Sequence, residues 1–422
     1  MKKHSIFEKI LFILALSIGI FTSCSTTAKS ADGNSEKQYQ ANGLAVLNIQ
    51  EPLILEAYPT SHTGDGTFHK AAYIAKDMKI GLNIGNTMEA YDANGCEKIS
   101  FTWIPKIGSN QPGDYESCWG APITSQKMID GIKAAGFNTV RIPVFWGNMM
   151  ENDGTWTINP KLLDRVREII DYCLNDDLYV VVNIHHFDEF VIRRNSVEDC
   201  QIIFTNLWTQ ISSYFSNYGE KLIFEGYNEY LGGDVFNSKG YLSPLNNEMA
   251  YKYTNTMNKA FVDAVRSTGG NNSQRVLIIS GLWTNIDRTT ASYFQIPEDS
   301  AEDKLMVSVH YVDNSMYWAH KIASSEWVTY IDQQCNLLDK AFTSKGIPVF
   351  LGETTCYYSD LRYSDTYKTS QDCVKYVMET LLKRGFVPVL WDTPNDFYDR
   401  NGAKIKTSAN EEMIKSVADF AN

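Results

Sequence analysis

The sequence lacks most of the devices by which a polypeptide handles nucleic acids, nucleotides or metals. It has no basic stripe: 38 lysines and arginines are outweighed by 50 acidic residues, and a formal charge of -12 argues against binding nucleic acid through its phosphates. It has no G-x-G-x-x-G turn, because Gly81 and Gly85 stand at the wrong spacing, so an open doubly wound sheet would be without its phosphate cradle. It has no H-E-x-x-H. No spacing among Cys96, Cys118, Cys173, Cys200, Cys335, Cys356 and Cys373 resembles a zinc site, so neither metal nor cofactor is implied. Cys96 and Cys118 flank a polar loop and could pair in an oxidising compartment, although an odd count leaves at least one thiol free. Cys173 falls on an apolar helical face and reads as a small core residue.

Long hydrophobic runs are also missing. The N-terminal run from Ile10 to Ile20, preceded by Lys2, Lys3 and Lys9, is too short to span a bilayer comfortably and has the layout of an export signal. Phe21-Thr22-Ser23-Cys24 is similar to the cleavage box of bacterial lipoproteins, with phenylalanine where leucine is usual. The expectation is a signal peptide over 1–23, lipidation at Cys24 and a flexible tether over 24–38. An ordinary signal peptide cut nearby is the alternative. That places the protein outside the cytoplasm, lipid-anchored at the outer membrane or cell surface, or else secreted. Residues 39–75 form an extension in which Leu44–Ile49 and Leu53–Leu55 are possible strands broken by Pro52.

What the chain does have is a large apolar content, 44%, and regular alternation after Lys76. Runs of strand length occur at Ile80–Gly85, Thr139–Val144, Tyr179–Ile184, Leu222–Tyr227, Val276–Ser280, Leu305–Tyr311, Pro348–Glu353 and Val387–Trp391. Segments of helical period separate them. Asn159 caps one, with Pro160 at its first position and Leu162, Leu163, Val166, Ile169, Ile170 and Cys173 on one face. Ser196 with Asp199 opens another, while Gly136, Gly269 with Gly270, and Gly385 mark helix ends. Eight strands alternating with helices over about 340 residues predict a (β/α)8 TIM barrel over 76–422, enlarged by loops beyond the usual ~250.

Two of the runs end on carboxylates. Lys221–Tyr230 (KLIFEGYNEY) opens as a buried strand and emerges at Asn228 and Glu229; Pro348–Glu353 closes on Glu353. A buried strand ends on an acid cheaply only where it meets a polar cavity. In a parallel barrel both ends lie on the face that carries active sites. Glu225 alternates onto the side of Glu229 but, at four residues of about 3.3 Å, roughly 13 Å deeper, and reads as an internal, paired acid. The other strand ends are polar or aromatic too: Asn83 and Asn86, His185 and His186, Trp283, His310 and Tyr311, Trp391 and Asp392. Arg141, inside the second run, needs a buried partner. If that partner is Glu353, Glu353 stays anionic while Glu229 keeps a proton, the division of labour that glycoside hydrolysis requires.

Here the sequence resembles glycoside hydrolase family 5, and within it subfamily 4 of endo-β-1,4-glucanases. The resemblance rests on GLNIGNTMEAYD, ESCWGAPITSQKMIDGIKAAGFNTVRIPVFW, YVVVNIHHF, LIFEGYNE, AFVDAVRSTGGNN, VFLGET and VPVLWD, spread over most of residues 76 to 400. It implies a retaining mechanism with Glu229 as acid/base and Glu353 as nucleophile. Arg141, His185, Asn228 and His310 would support them, and Trp391 would lie under the sugar next to the cleavage point. Asn86, His186, Tyr311 and Trp283 are further substrate-binding candidates, and Trp103, Trp119, Trp146 and Tyr230 lie near strand-end loops where aromatics stack on sugars. One departure stands out: the family's tyrosine two residues after the histidine, which bonds the nucleophile, is Val312 here. Tyr311 and Tyr317 are the nearby candidates for that role.

The expected partner is a β-1,4-linked polysaccharide, cellulose-like, mixed-linkage or xyloglucan, cut by a monomer. A β-mannanase or xylanase on the same frame is the nearest alternative, because loops choose the sugar. A surface glycan-binding protein without turnover is the alternative of another class.

Overall fold

The computed structural model describes residues 51–91, 107–151, 155–186, 196–230, 246–359, 361, 366–394 and 396–422. The signal segment, Cys24, the tether, Leu44–Ile49, Cys96 and Trp103 lie outside these residues. Eight parallel strands close into a barrel in sequence order: β1 (Gly81–Ile84), β2 (Thr139–Ile142), β3 (Tyr179–Asn183), β4 (Leu222–Glu225), β5 (Leu277–Ser280), β6 (Leu305–His310), β7 (Val349–Thr355) and β8 (Val387–Asp392). All eight expected runs are strands. Those of β1 to β4 and β6 stop one or two residues short of the expected ends.

Among the described residues, helices of eight residues or more are α1 (Ala71–Met78), α2 (Gln126–Ala134), α3 (Pro160–Asn175), α4 (Val197–Tyr214), α5 (Asn247–Ser267), α6 (Ser325–Ala341), α7 (Ser370–Lys383) and α8 (Ser408–Ala421). Local chemistry sets their limits. The Asn159 side chain accepts the Lys161 amide, and Leu162, Leu163, Val166, Ile169, Ile170 and Cys173 form the buried face of α3. Ser196 accepts the Asp199 amide at the start of α4. Gly136, Gly269, Gly270 and Gly385 all have positive φ just past helices, where a Cβ would cost most.

Two apolar layers result. The outer one lies between strands and helices. The inner one fills the barrel with Val181, Ile223, Ile278, Met306, Phe350 and Val389, and α1 adds Ala71, Ile74, Ala75 and Met78 to it. Helix α1 thus crosses residue 76 and stoppers the barrel at the starts of its strands: the Ala71 amide bonds Asp303 O at 2.7 Å, and Thr139 Oγ1 bonds Met78 O at 2.8 Å. With that end plugged, only the carboxyl ends of the strands are left to receive a ligand. Leu53–Leu55 is not a strand; Leu53 N bonds Asn206 Oδ1 and Leu55 N bonds Ser213 Oγ, so the segment is strapped along α4.

Candidate active site

Strand register gathers the polar residues. Asn83 pairs with Arg141 and with Trp391, Asn183 pairs with Glu225, and an irregularity after Val309 sets His310 beside Glu353. A second irregularity, between Leu351 and Thr354 on β7, falls at Gly352 and Glu353. Gly352 is needed there. A Cβ at that position would come 2.8 Å from His310 Nε2 and 3.2 Å from Glu225 Oε1.

Arg141, wholly buried, is the floor of the site. Its Nε donates to Glu225 Oε2 at 2.6 Å, Nη1 to Asn83 Oδ1 at 3.0 Å and to Glu353 Oε1 at 3.3 Å, and Nη2 to Asn228 Oδ1 at 2.8 Å. Glu225 also accepts from Asn183 Nδ2 and Ser308 Oγ, so it is the internal, paired acid expected. Its depth differs from the linear estimate. The strand ends at Glu225 and the chain then folds over, so one guanidinium reaches both Glu225 and the residues beside Glu229. Arg141 also has Glu225, not Glu353, as its shortest partner, which corrects the simple pairing drawn from sequence.

Glu229 Oε1 lies 2.8 Å from His310 Nδ1, and His310 Nδ1 lies 3.7 Å from Glu353 Oε1. One oxygen of each carboxyl and a ring nitrogen of His310 all fall within 4.8 Å of one another. Such a trio could surround a cation, but Arg141, 3.3 Å from Glu353, would repel one. Burial pushes the Glu229 carboxyl up to about 7, against the pull of Arg141 and the Thr284 hydroxyl. Burial also raises Glu353, opposed by His310, Arg141 and Tyr311. His310 is pushed down to about 4 by burial, hence neutral at pH 7. Glu353 accepts from a guanidinium and a phenol, whereas the ring that bonds Glu229 is a neutral imidazole. The first proton to leave the pair therefore leaves Glu353, and the one retained sits on Glu229.

The Tyr311 hydroxyl donates to Glu353 Oε2 at 2.7 Å, so of the two candidate tyrosines Tyr311 holds this carboxylate. Val312 is 2% exposed, in the core. Four strand-end residues share an unusual backbone: Asn86, His186, Trp283 and Tyr311 have φ of 58°, 56°, 53° and 44°, left-handed values that non-glycine residues rarely adopt.

The cleft above encloses about 1170 Å³, its open mouth included, and is lined by Glu229, Trp283, His310, Tyr311 and Trp391 among others. The Trp391 indole stacks on His185 at 6.0 Å and 15°, with Gly85 leaving it room. His186 sits against Tyr91, Trp119 and His185, behind that stack; neither it nor Asn86 is among the cleft-lining residues. Trp146, at 1% exposure and donating to Asn183 O, is core, and Tyr230 is equally buried against Tyr227. Sequence reasoning missed the role of Asn83, which ties Arg141 to Gly352 O and Leu390 O, and missed Trp318 and Tyr357 on the rim. Their signal was aromatic clustering just after β6 and β7.

A (β/α)8 barrel whose carboxyl face holds two carboxyls within a bond's reach of one sugar defines a glycoside hydrolase. Residues 92–396 match the family model for cellulase, glycosyl hydrolase family 5. Endoglucanase A of Paenibacillus barcinonensis is 30% identical over 401 residues, covering 87% of this chain and 92% of that one. Endoglucanase A of Clostridium longisporum is 32% identical over 344 residues, 79% of this chain but 61% of the relative, so the chain spans under two thirds of that protein's length. A GH5-4 broad specificity endoglucanase from an uncultured bovine rumen ciliate superimposes with a TM-score of 0.69 at 27% identity, covering 83% of this chain and 98% of that one. The chain belongs to glycosyl hydrolase family 5.

Proposed function

We propose that this enzyme hydrolyses the backbone of β-1,4-glucans internally and with retention of configuration. The observation that carries the reading is the spacing of Glu229, His310 and Glu353 within 4.8 Å, the short separation of retaining rather than inverting pairs. Glu229 gives its proton to the glycosidic oxygen as the C1–O bond breaks, and a Glu353 oxygen forms the new bond to C1. A water then attacks C1, its proton passing to the Glu229 carboxylate, and Glu353 leaves as the carboxylate. Arg141 and Tyr311 hold Glu353 in its charged form. Trp391 offers its face to the sugar bound beside the scissile bond, and Trp283, Tyr311 and Trp318 line the same cleft, where aromatic faces stack on sugar rings. The relatives named as endoglucanases support a glucan substrate, cellulose-like, mixed-linkage or xyloglucan.

The test is a reducing-sugar assay on soluble β-glucans, xyloglucan, mannan and xylan, with NMR of the anomer first released. A β-anomer from a glucan is expected. Greatest activity on mannan or xylan, an α-anomer, or binding without turnover would overturn the reading.

A further inference from the structure

The turn after β5 is built against its residues' preferences. Trp283 and Thr284 adopt φ of 53° and 43° in succession, and Thr284 is β-branched, the kind of residue for which a left-handed backbone is a true outlier. Two such residues in succession are costly and persist only where their surroundings impose the shape. The surroundings do impose it. The Gly281 amide bonds Ser308 O at 3.0 Å, the Thr284 amide bonds Gly281 O at 3.0 Å, and Asn285 Oδ1 accepts the Arg288 amide at 3.0 Å. The Arg288 guanidinium lies over the Trp283 ring, 5.5 Å from its centre.

This imposed shape leaves Thr284 with an unusual hydroxyl. The residue is 1% exposed and lines the same cleft as Glu229, yet Oγ1 has no hydrogen-bond partner among the described residues. A buried hydroxyl normally finds one. It shares the wall of that cleft with the Glu229 carboxyl, whose proton affinity the hydroxyl lowers. The other groups acting around Glu229 are already engaged: Arg141 with Glu225 and Asn228, His310 with Glu229 itself, Tyr311 with Glu353.

We propose that Thr284 is a positioning residue for the acid/base, a hydroxyl held in reserve that donates to Glu229 once the carboxyl has given up its proton. The assignment rests on the reading of Glu229 as acid/base. While Glu229 is protonated it has little use for a second donor. When its proton moves to the departing sugar oxygen, the new carboxylate gains an acceptor's charge and Thr284 supplies the matching donor, favouring the proton-transferred state over the ground state. The strained turn keeps the hydroxyl from satisfying itself elsewhere in the meantime.

The experiment compares Thr284→Val, which keeps the shape and removes the hydroxyl, with Thr284→Ser, which keeps the hydroxyl and drops the branch. Both are assayed on aryl β-cellobiosides with a poor leaving group, which needs a proton, and with a dinitrophenyl group, which does not. On the poor leaving group, Thr284→Val is expected to lose about tenfold in kcat/KM and to shift the alkaline limb of its pH profile upward. On the activated one it should lose less than about twofold. Thr284→Ser should recover most of the loss. Equal losses on both leaving groups, an unmoved alkaline limb, or a Ser variant as poor as Val would overturn the proposal. Failure of the underlying reading shows separately, as undiminished activity in Glu229→Gln with Thr284 intact.

Discussion

Tyr311 reaches Glu353 Oε2 at 2.7 Å by turning through the left-handed region at φ 44°, directly after His310, which lies beside Glu229. Adjacent residues thus serve opposite carboxyls. Removing the phenol in Tyr311→Phe deprives a buried carboxylate of a charge-assisted donor and should lower kcat/KM about 10–100-fold. Because the hydroxyl holds down the proton affinity of Glu353, the acid limb of the pH profile should also rise. Tyr317→Phe should leave that limb in place. An unmoved limb in Tyr311→Phe would refute the assignment.

Val312 gives the complementary case. At 2% exposure it packs in the core, so Val312→Tyr would insert a ring where there is no space, costing about 1–3 kcal/mol of stability. No gain in kcat is expected, since the carboxylate's oxygen is already engaged by Tyr311. Thermal unfolding and initial rates decide the matter together; higher turnover in this variant would mean that Tyr311 does the work poorly.

Gly352 should tolerate no side chain. A Cβ 2.8 Å from His310 Nε2 and 3.1 Å from Ser308 Oγ forces a shift in the residues that position both carboxyls. A displacement of even about 1 Å costs on the order of 100-fold in rate. Gly352→Ala is expected to lose at least that in kcat while still unfolding cooperatively, as followed by circular dichroism. Near-normal turnover would show that the strand yields without moving the site.

The Glu229 carboxyl links activity to stability. Its folded-state value, up to about 7 from 4.5, is raised by burial, so the protonated form favours the fold. That contribution is fully present below about pH 4.5 and fades as pH rises through about 7. Glu229→Gln cannot acquire the buried charge. It should therefore match the wild type near pH 4 and exceed it at pH 8, by on the order of 1–3 kcal/mol before allowance for its 19% exposed side chain. Denaturant melts at the two pH values measure this. A constant difference across pH would mean that Glu229 keeps an ordinary carboxylate's proton affinity.

Much of this was legible in the chain. Strand runs, the capping of α3 and α4 and the glycines past the helices follow from periodicity and local hydrogen bonding, which act over a few residues. The pair Glu229 and Glu353 was legible because an apolar strand closing on an acid is physically anomalous. The network under Arg141 was only half legible: that a buried guanidinium needs a partner follows from its charge, but which carboxylate lies nearest depends on where β4 leaves the ladder. Tyr311 and Trp283 were legible as strand-end residues, but Thr284 and the turns that place all three were not. Their positions depend on left-handed turns that their own side chains disfavour, so local preference pointed away from the structure formed.

Those turns bear on what happens when such a protein is selected for heat resistance alone. Glycine at residue 283, 284 or 311 would relieve the backbone at once, and a screen that scored only survival at high temperature would reward it. Each such gain would remove a side chain from the rim or the wall of the catalytic chamber. Tolerance of heat and turnover of polymer are therefore opposed at the same few positions, and an improved variant would have to find its added robustness elsewhere, in the outer helices or in the strap along α4.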